Sequence, residues 1–169
     1  MSVTANQNEL VWMSNFLALE RQLTGDELES VRNFALLWNL FEGLVCNKDA
    51  NVGKFSDAVT KLQQQGNLNI DDYVAFLQYC TNRYVTNGEA NDRFPKLKLQ
   101  RNNNPELVEA VLKGDETAPE KVLLALLIIV YRYRNNLFHG EKAIEDLPNQ
   151  IDNFKNANQL LMIFMERWR

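Results

Sequence analysis

Apolar residues recur every three or four positions along most of the chain, which is the spacing of one face of an α-helix. The clearest stripe consists of Val31, Phe34, Leu37, Trp38, Phe41, Leu44 and Val45. Thr24, with Glu27 three positions later, predicts a capping box at the start of this helix. The same spacing predicts an earlier helix over Leu10–Leu23, a third over Phe55–Leu62 and a fourth over Ile70–Cys80.

The second half of the chain has the same character. Asn104-Pro105 predicts the start of a short helix that Gly114 ends, and Thr117–Glu120 predicts the start of the next. From Val122 to Tyr131 this next helix is apolar on nearly all sides, so we expect it at the centre of a bundle. A last helix is expected to begin near Pro148. No segment alternates convincingly as a strand, so the helical spacing predicts an all-α helical bundle.

Length and composition narrow the class of protein. The chain has 169 residues, 46% of them hydrophobic, which suits one domain over residues 1–169 with a real core. Its formal net charge of −4 excludes a polycation that coats nucleic acid, so any nucleic-acid site must be local. The N-terminus lacks the features of a secretory signal, and the longest apolar run is too short for a membrane span. We therefore expect a cytoplasmic protein with no membrane partner, in which Cys46 and Cys80 are reduced thiols.

The end of the central helix carries the strongest candidate chemistry. The segment Arg134-Asn-Asn-Leu-Phe-His139 contains the only histidine of the chain. Histidine can accept or donate a proton near neutral pH. On an unbroken helix Arg134 and His139 would lie about 140° apart and roughly 7.5 Å along the axis. Because Asn135 and Asn136 are poor helix formers, we expect the helix to loosen there so that both side chains reach one groove.

RNA cleavage by its own 2′-hydroxyl needs a base, an acid and positive charge beside the phosphate. Histidine supplies the proton transfers, and the planar fork of arginine suits phosphate oxygens. One histidine cannot easily serve as base and acid at once. The chemistry therefore predicts a homodimer that brings two copies of Arg134 and His139 together.

This segment resembles the HEPN superfamily, whose mark is an arginine, four to six residues, and then a histidine, often with asparagine directly after the arginine. The earlier run Phe34–Glu42 resembles the FxxLWxxFE pattern that is common in the same family. The resemblance implies a bundle of four to five core helices with additional short helices, and homodimerisation. It also implies metal-independent endoribonuclease activity, without a cofactor, that leaves a 2′,3′-cyclic phosphate.

Many HEPN proteins are toxins or anti-phage defence effectors, so the resemblance implies an antitoxin or another regulatory protein as a partner. The toxins paired with nucleotidyltransferase antitoxins usually carry tyrosine two positions after the histidine, where this chain has Glu141. This difference favours the abortive-infection-like branch. Two alternatives stay open. The first is a HEPN-type module that binds RNA or a nucleotide, or that dimerises, without cleaving RNA. The second is a helical adaptor.

Other residues are candidates for supporting roles. Asn135 adjoins Arg134, and Glu42 lies at the edge of the apolar stripe, where it either holds Arg134 or ends a helix at the surface. Arg132 and Lys142 flank the segment and either contact RNA phosphates or are solvated charges.

The basic stretch 93–101 is interleaved with apolar residues and has no acidic one. Its four cations, which are candidates for binding the RNA backbone, are Arg93, Lys96, Lys98 and Arg101. The alternative is a crossover loop that Phe94, Leu97 and Leu99 attach to the bundle.

Overall fold

The computed structural model describes residues 8–19, 21–139 and 144–169, and these are mostly helical. The α-helices are α1 (Glu9–Phe16), α2 (Gly25–Val45), α3 (Val52–Gln64), α4 (Val74–Tyr84), α5 (Pro105–Lys113), α6 (Pro119–Phe138) and α7 (Ile151–Trp168). Short 3-10 turns lie at Ile70–Tyr73, Phe94–Leu97, Arg101–Asn103 and Ile144–Gln150. The predicted all-α bundle is confirmed. Within the described ranges, no helix combines the length and apolarity needed to cross a membrane.

The apolar helix α6 lies at the centre of the bundle, as predicted. Every residue from Val122 to Val130 is buried. Helices α3 and α5 pack against α6, while α2 and α7 pack against each other, and α4 contacts α5 and α7. A helix surrounded in this way holds its C-terminal end in a fixed place, because its core residues contact neighbours on all sides.

The predicted helix ends are largely confirmed. Thr24 Oγ1 accepts a hydrogen bond from the Glu27 amide at 3.2 Å, and Glu27 Oε2 accepts from the Thr24 amide at 2.8 Å. Helix α5 begins at Pro105 after the Asn104 cap and ends at Gly114, whose φ of 82° lies in the left-handed region that favours glycine. These local signals act through nearby backbone groups and therefore depend little on the rest of the fold.

Three expectations about the elements are wrong. Helix α1 ends at Phe16, so Leu23 is buried outside it. The expectation of no strand is wrong, because Asn87-Gly88 turns a small antiparallel hairpin between β1 (Val85–Thr86) and β2 (Glu89–Ala90). Both turn residues have positive φ, which Asn-Gly adopts readily in two-residue hairpins. The expected start of the last helix near Pro148 is also wrong, because Pro148 lies in a 3-10 turn and α7 begins at Ile151.

The apolar stripe of α2 is wider than the core needs. Phe34, Trp38 and Phe41 are buried, as predicted. Leu44, which was assigned to the same stripe, is 56% exposed, and Leu40 is 53% exposed beside it. The helix has apolar residues on more than one face, so spacing alone did not identify which of them would be covered.

Buried phenols should make the fold unstable at alkaline pH. Burial raises the pKa of Tyr73 and of Tyr79 to about 12, and it also raises the pKa of Tyr84 and Tyr133. Since an unfolded tyrosine loses its proton near pH 10, this stability is fully present below about pH 10 and is lost as pH rises through the folded pKa. We expect the free energy of unfolding to fall by at least about 2 kcal/mol between about pH 10 and pH 12.

Urea denaturation at each pH, with phenolate absorbance recorded in parallel, checks this expectation. Ionisation of these tyrosines near pH 10 without loss of helicity would contradict it, because the phenols would then not be protected by burial.

Candidate functional site

The buried helix α6 continues without a break into the Arg134–His139 segment. Asn135 and Asn136 are helical and buried, and the helix ends at Phe138, with His139 as its cap. The amide of His139 donates to the Asn135 carbonyl at 2.9 Å. The expected loosening at the two asparagines is therefore wrong.

Tertiary hydrogen bonds explain why the asparagines stay helical. The Nδ2 atom of Asn136 lies 3.3 Å from the carbonyl oxygen of Leu97 and 3.4 Å from that of Lys96, and it donates to both. These bonds offset the low helix propensity of asparagine. They also attach the end of α6 to the segment before α5.

Arg134 and His139 line one cavity in spite of the unbroken helix. The cavity has a volume of about 340 Å³, and we call it the Arg–His cavity. Helix α6 and its cap contribute Tyr131, Arg132, Arg134, Asn135 and His139. The described lining residues include no carboxylate, so the cavity is suited to an anion.

Arg134 is held by its own helix and keeps donors available. Its Nη1 atom donates to Asn135 Oδ1 at 3.0 Å, and its guanidinium carbon lies 5.4 Å from the ring centroid of Phe138. Its Nε is buried and has no hydrogen-bond partner. Because Nε is not accessible, a phosphate oxygen would reach this orientated guanidinium through its outer Nη atoms.

His139 is exposed at the end of α6, where its imidazole can meet a ligand from solvent. Phe138, immediately before it, is 54% exposed. A partner surface that approaches His139 would therefore also meet the ring of Phe138.

The interpretation of Arg132 as a solvated charge is wrong, whereas its contact with an RNA phosphate stays a prediction. Arg132 is only 3% exposed. Its Nε donates to the carbonyl oxygen of Leu97 at 3.1 Å, and its Nη2 donates to Asn136 Oδ1 at 3.2 Å. Arg132 forms part of the cavity wall, and its hydrogen bonds hold that wall together.

The Glu42 side chain contacts the loop after α2 and not Arg134. Its Oε1 accepts from the amide of Ala50 at 3.3 Å, which ties the end of α2 to the following loop. No ion pair joins it to Arg134 within the described part of the chain. Of its two interpretations, the one at a helix end agrees with this contact. Lys142 and Glu141 lie outside the described residues.

The crossover segment, residues 93–103, connects the hairpin to α5. Leu97 is fully buried, and Phe94 and Leu99 pack against the core, so the segment is attached to the bundle as the alternative interpretation expected. Its four cations, Arg93, Lys96, Lys98 and Arg101, are all exposed. The interpretation as a crossover loop is therefore confirmed, while binding of the RNA backbone by the four exposed cations stays a prediction.

Sequence reasoning missed the far wall of the Arg–His cavity. This wall consists of Gln100, Asn102 and Asn103 of the crossover segment. Asn103 is buried, and its Oδ1 accepts from the Gln100 amide at 3.0 Å. The run of polar amides before Pro105 was the available signal, but it could not show which surface the segment covers.

The two tyrosines before Arg134 have different environments. Tyr133 is buried, and its hydroxyl lies 3.0 Å from that of Tyr84, so it belongs to the core. Tyr131 lines the Arg–His cavity, but its ring stacks against Trp38 with centroids 5.8 Å apart. Trp38, which belongs to the Phe34–Glu42 run, thus supports the wall of the cavity.

Comparisons of the chain with protein-family models, with curated proteins and with solved structures found no match. The resemblance to the HEPN superfamily stays a prediction based on the two runs of residues. Among the described residues, no three His, Cys, Asp or Glu side chains are grouped so that they could hold a metal ion.

Proposed function

We propose that this protein is a HEPN-type, metal-independent endoribonuclease that cleaves single-stranded RNA in the Arg–His cavity. The observation that carries the proposal is that Arg134 and His139 line one cavity that is free of carboxylates among its described lining residues. The guanidinium of Arg134, which lines the cavity, supplies donors for a phosphate oxygen. The imidazole of His139 supplies a proton acceptor or donor.

The reaction needs no group beyond side chains and the substrate. The 2′-hydroxyl loses its proton to an imidazole and its oxygen attacks the adjacent phosphorus. The bond from phosphorus to the 5′-oxygen breaks, and that oxygen takes a proton from an imidazolium. Arg134 stabilises the negative charge on the phosphate oxygens during the transfer. The products are a 2′,3′-cyclic phosphate and a 5′-hydroxyl.

A second copy of the chain would complete this chemistry. One chain has a single histidine, whereas the reaction uses a base and an acid. A two-fold axis near His139 would bring the second imidazole into reach and would cover the exposed ring of Phe138. We therefore propose a homodimer as the active unit, acting as a toxin or defence effector under the control of an antitoxin or another regulatory protein.

The test is cleavage of single-stranded RNA by the purified protein in excess EDTA. We expect cutting, with cyclic phosphate at the new 3′ ends, and no cutting of the same strand with 2′-deoxy sugars, because the nucleophile is then missing. Cleavage of the deoxy strand would contradict the mechanism, and the absence of RNA cleavage by a dimeric, folded protein would contradict the proposed activity.

The polar amides of the cavity favour one alternative. Gln100, Asn102 and Asn103 can hydrogen-bond a nucleotide but cannot transfer protons at neutral pH. A module that binds RNA without cleaving would show tight binding with no turnover in the presence or absence of metal ions. This result would select the binding module over the ribonuclease.

A further inference from the structure

A second cavity, which we call the basic cavity, also borders the crossover segment. It has a volume of about 340 Å³ and is bounded by the end of α4, the crossover segment, and the region around the start of α7. The charged and polar residues that matter here are Arg83, Arg93, Lys96, Asp146, Asn149 and Asp152.

The cations of the basic cavity are available to a ligand. Arg83 Nη2 donates to the carbonyl oxygen of Asn149 at 2.8 Å, while its Nε is buried and has no hydrogen-bond partner. Arg93 and Lys96 are exposed, and neither forms an ion pair with another described residue. One guanidinium is thus held in place by the fold, and two exposed cations line the same cavity.

The carboxylates of the basic cavity limit the charge that it can accept. The two oxygens of Asp146 accept from the side-chain amides of Asn149 and Gln150, each at 2.7 Å. With Asp152, the described lining residues of the cavity carry three positive and two negative formal charges, which leaves +1. This charge matches the single negative charge of a phosphodiester better than the two charges of a free phosphate at neutral pH.

The crossover segment connects the basic cavity to the Arg–His cavity. Lys96 lines the first, and Gln100, four residues later, lines the second. Four residues span at most roughly 14 Å, which a strand of a few nucleotides can follow. Because Arg132 and Asn136 bind the carbonyl of Leu97 between these two positions, the segment keeps the cavities in a fixed relation.

We propose that the basic cavity is a phosphate-binding subsite for single-stranded RNA that is also engaged in the Arg–His cavity. The inference rests on the proposed function and extends it. The basic cavity would bind a phosphodiester of the same RNA strand that is not the one cleaved in the Arg–His cavity. The guanidinium of Arg83 orientates this phosphodiester, while Arg93 and Lys96 add charge. Strands long enough to reach both cavities bind more tightly than a dinucleotide does.

The test measures binding of 2′-O-methyl RNA, which cannot be cleaved through its 2′-oxygen, to the full chain. Probes of about ten nucleotides and of two nucleotides are compared by fluorescence anisotropy at several salt concentrations. The variant R93Q/K96Q changes two exposed side chains and leaves the buried contacts of Arg83 intact. The matched control is Lys121→Gln, at the exposed start of α6, about 20 Å along the helix from Arg134.

We expect R93Q/K96Q to bind the longer probe about tenfold more weakly, with a salt slope smaller by about 1.4, as two fewer phosphate contacts imply. The loss should be much smaller for the dinucleotide, and Lys121→Gln should match the wild type with both probes. At matched ionic strength, inorganic phosphate should not displace the longer probe.

Two outcomes overturn the subsite: equal binding of the longer probe by R93Q/K96Q and the wild type, or displacement of that probe by phosphate at matched ionic strength. Failure of the wild type to bind either probe would instead contradict the proposed function itself. The two failures are therefore distinguishable.

Discussion

Replacing His139 with alanine should lower the rate of RNA cleavage by about 10²- to 10⁴-fold, the usual effect of losing a general acid or base. The change should leave the fold intact, because His139 is exposed at the end of α6 and only its backbone amide bonds to Asn135. The measurement is the single-turnover rate at saturating protein, in excess EDTA, with helicity and melting temperature recorded for both proteins.

Matched variants at Arg134 separate proton transfer from phosphate binding. Arg134→Lys keeps the charge but loses the fork, so it should retain part of the activity, whereas Arg134→Ala should retain little. Cleavage at the wild-type rate by both His139→Ala and Arg134→Ala would show that the Arg–His cavity is not the site of the reaction.

Mixing the wild type with His139→Ala tests the dimer. If each site needs one histidine from each chain, a mixed dimer is inactive. With a roughly tenfold excess of the variant, after the chains have exchanged, the activity per wild-type chain should fall roughly tenfold. Unchanged activity per wild-type chain would show that one copy of His139 is sufficient.

Replacing Arg132 with alanine should destabilise the protein by about 3 kcal/mol. The buried guanidinium donates to the carbonyl of Leu97 and to Asn136 Oδ1. Its loss leaves Asn136 Oδ1 without this donor in the core, and the Leu97 carbonyl then keeps only its bond from Asn136 Nδ2. For a chain of this length the melting temperature should fall by about 6 to 12 °C. Urea denaturation followed by circular dichroism gives the free energy directly.

Arg134→Ala, two positions away, is the control for Arg132→Ala. Arg134 is less buried and bonds mainly to the neighbouring Asn135, so we expect a loss of about 1 kcal/mol or less. The two arginines should thus separate stability from activity. Equal destabilisation by both substitutions would mean that the crossover segment does not depend on Arg132.

The local elements were largely readable in the amino-acid sequence. The Thr24–Glu27 capping box and the Asn104–Gly114 helix involve groups a few residues apart, so their signals are complete within a short window. The apolar character of Val122–Val130 placed α6 at the centre, because such a helix is stable only where all its faces are covered.

The candidate site was only partly readable. Arg134 and His139 could be named from chemistry and spacing. The expected loosening of α6 at Asn135 and Asn136 does not occur. The hydrogen bonds from Asn136 to the Leu97 and Lys96 carbonyls, about forty residues away along the chain, keep that helix intact. Helix propensity is weak compared with such tertiary contacts.

Taken by itself, the sequence determined the all-α class, the central helix and the Arg134–His139 segment, since these depend on periodicity and on local chemistry. The tertiary structure decided that Arg132 is buried while Arg134 keeps a free donor, and that Leu44 is exposed. It also decided that the crossover segment borders two cavities. These features depend on which segments, distant in the sequence, pack against each other, and short-range sequence patterns do not specify this packing.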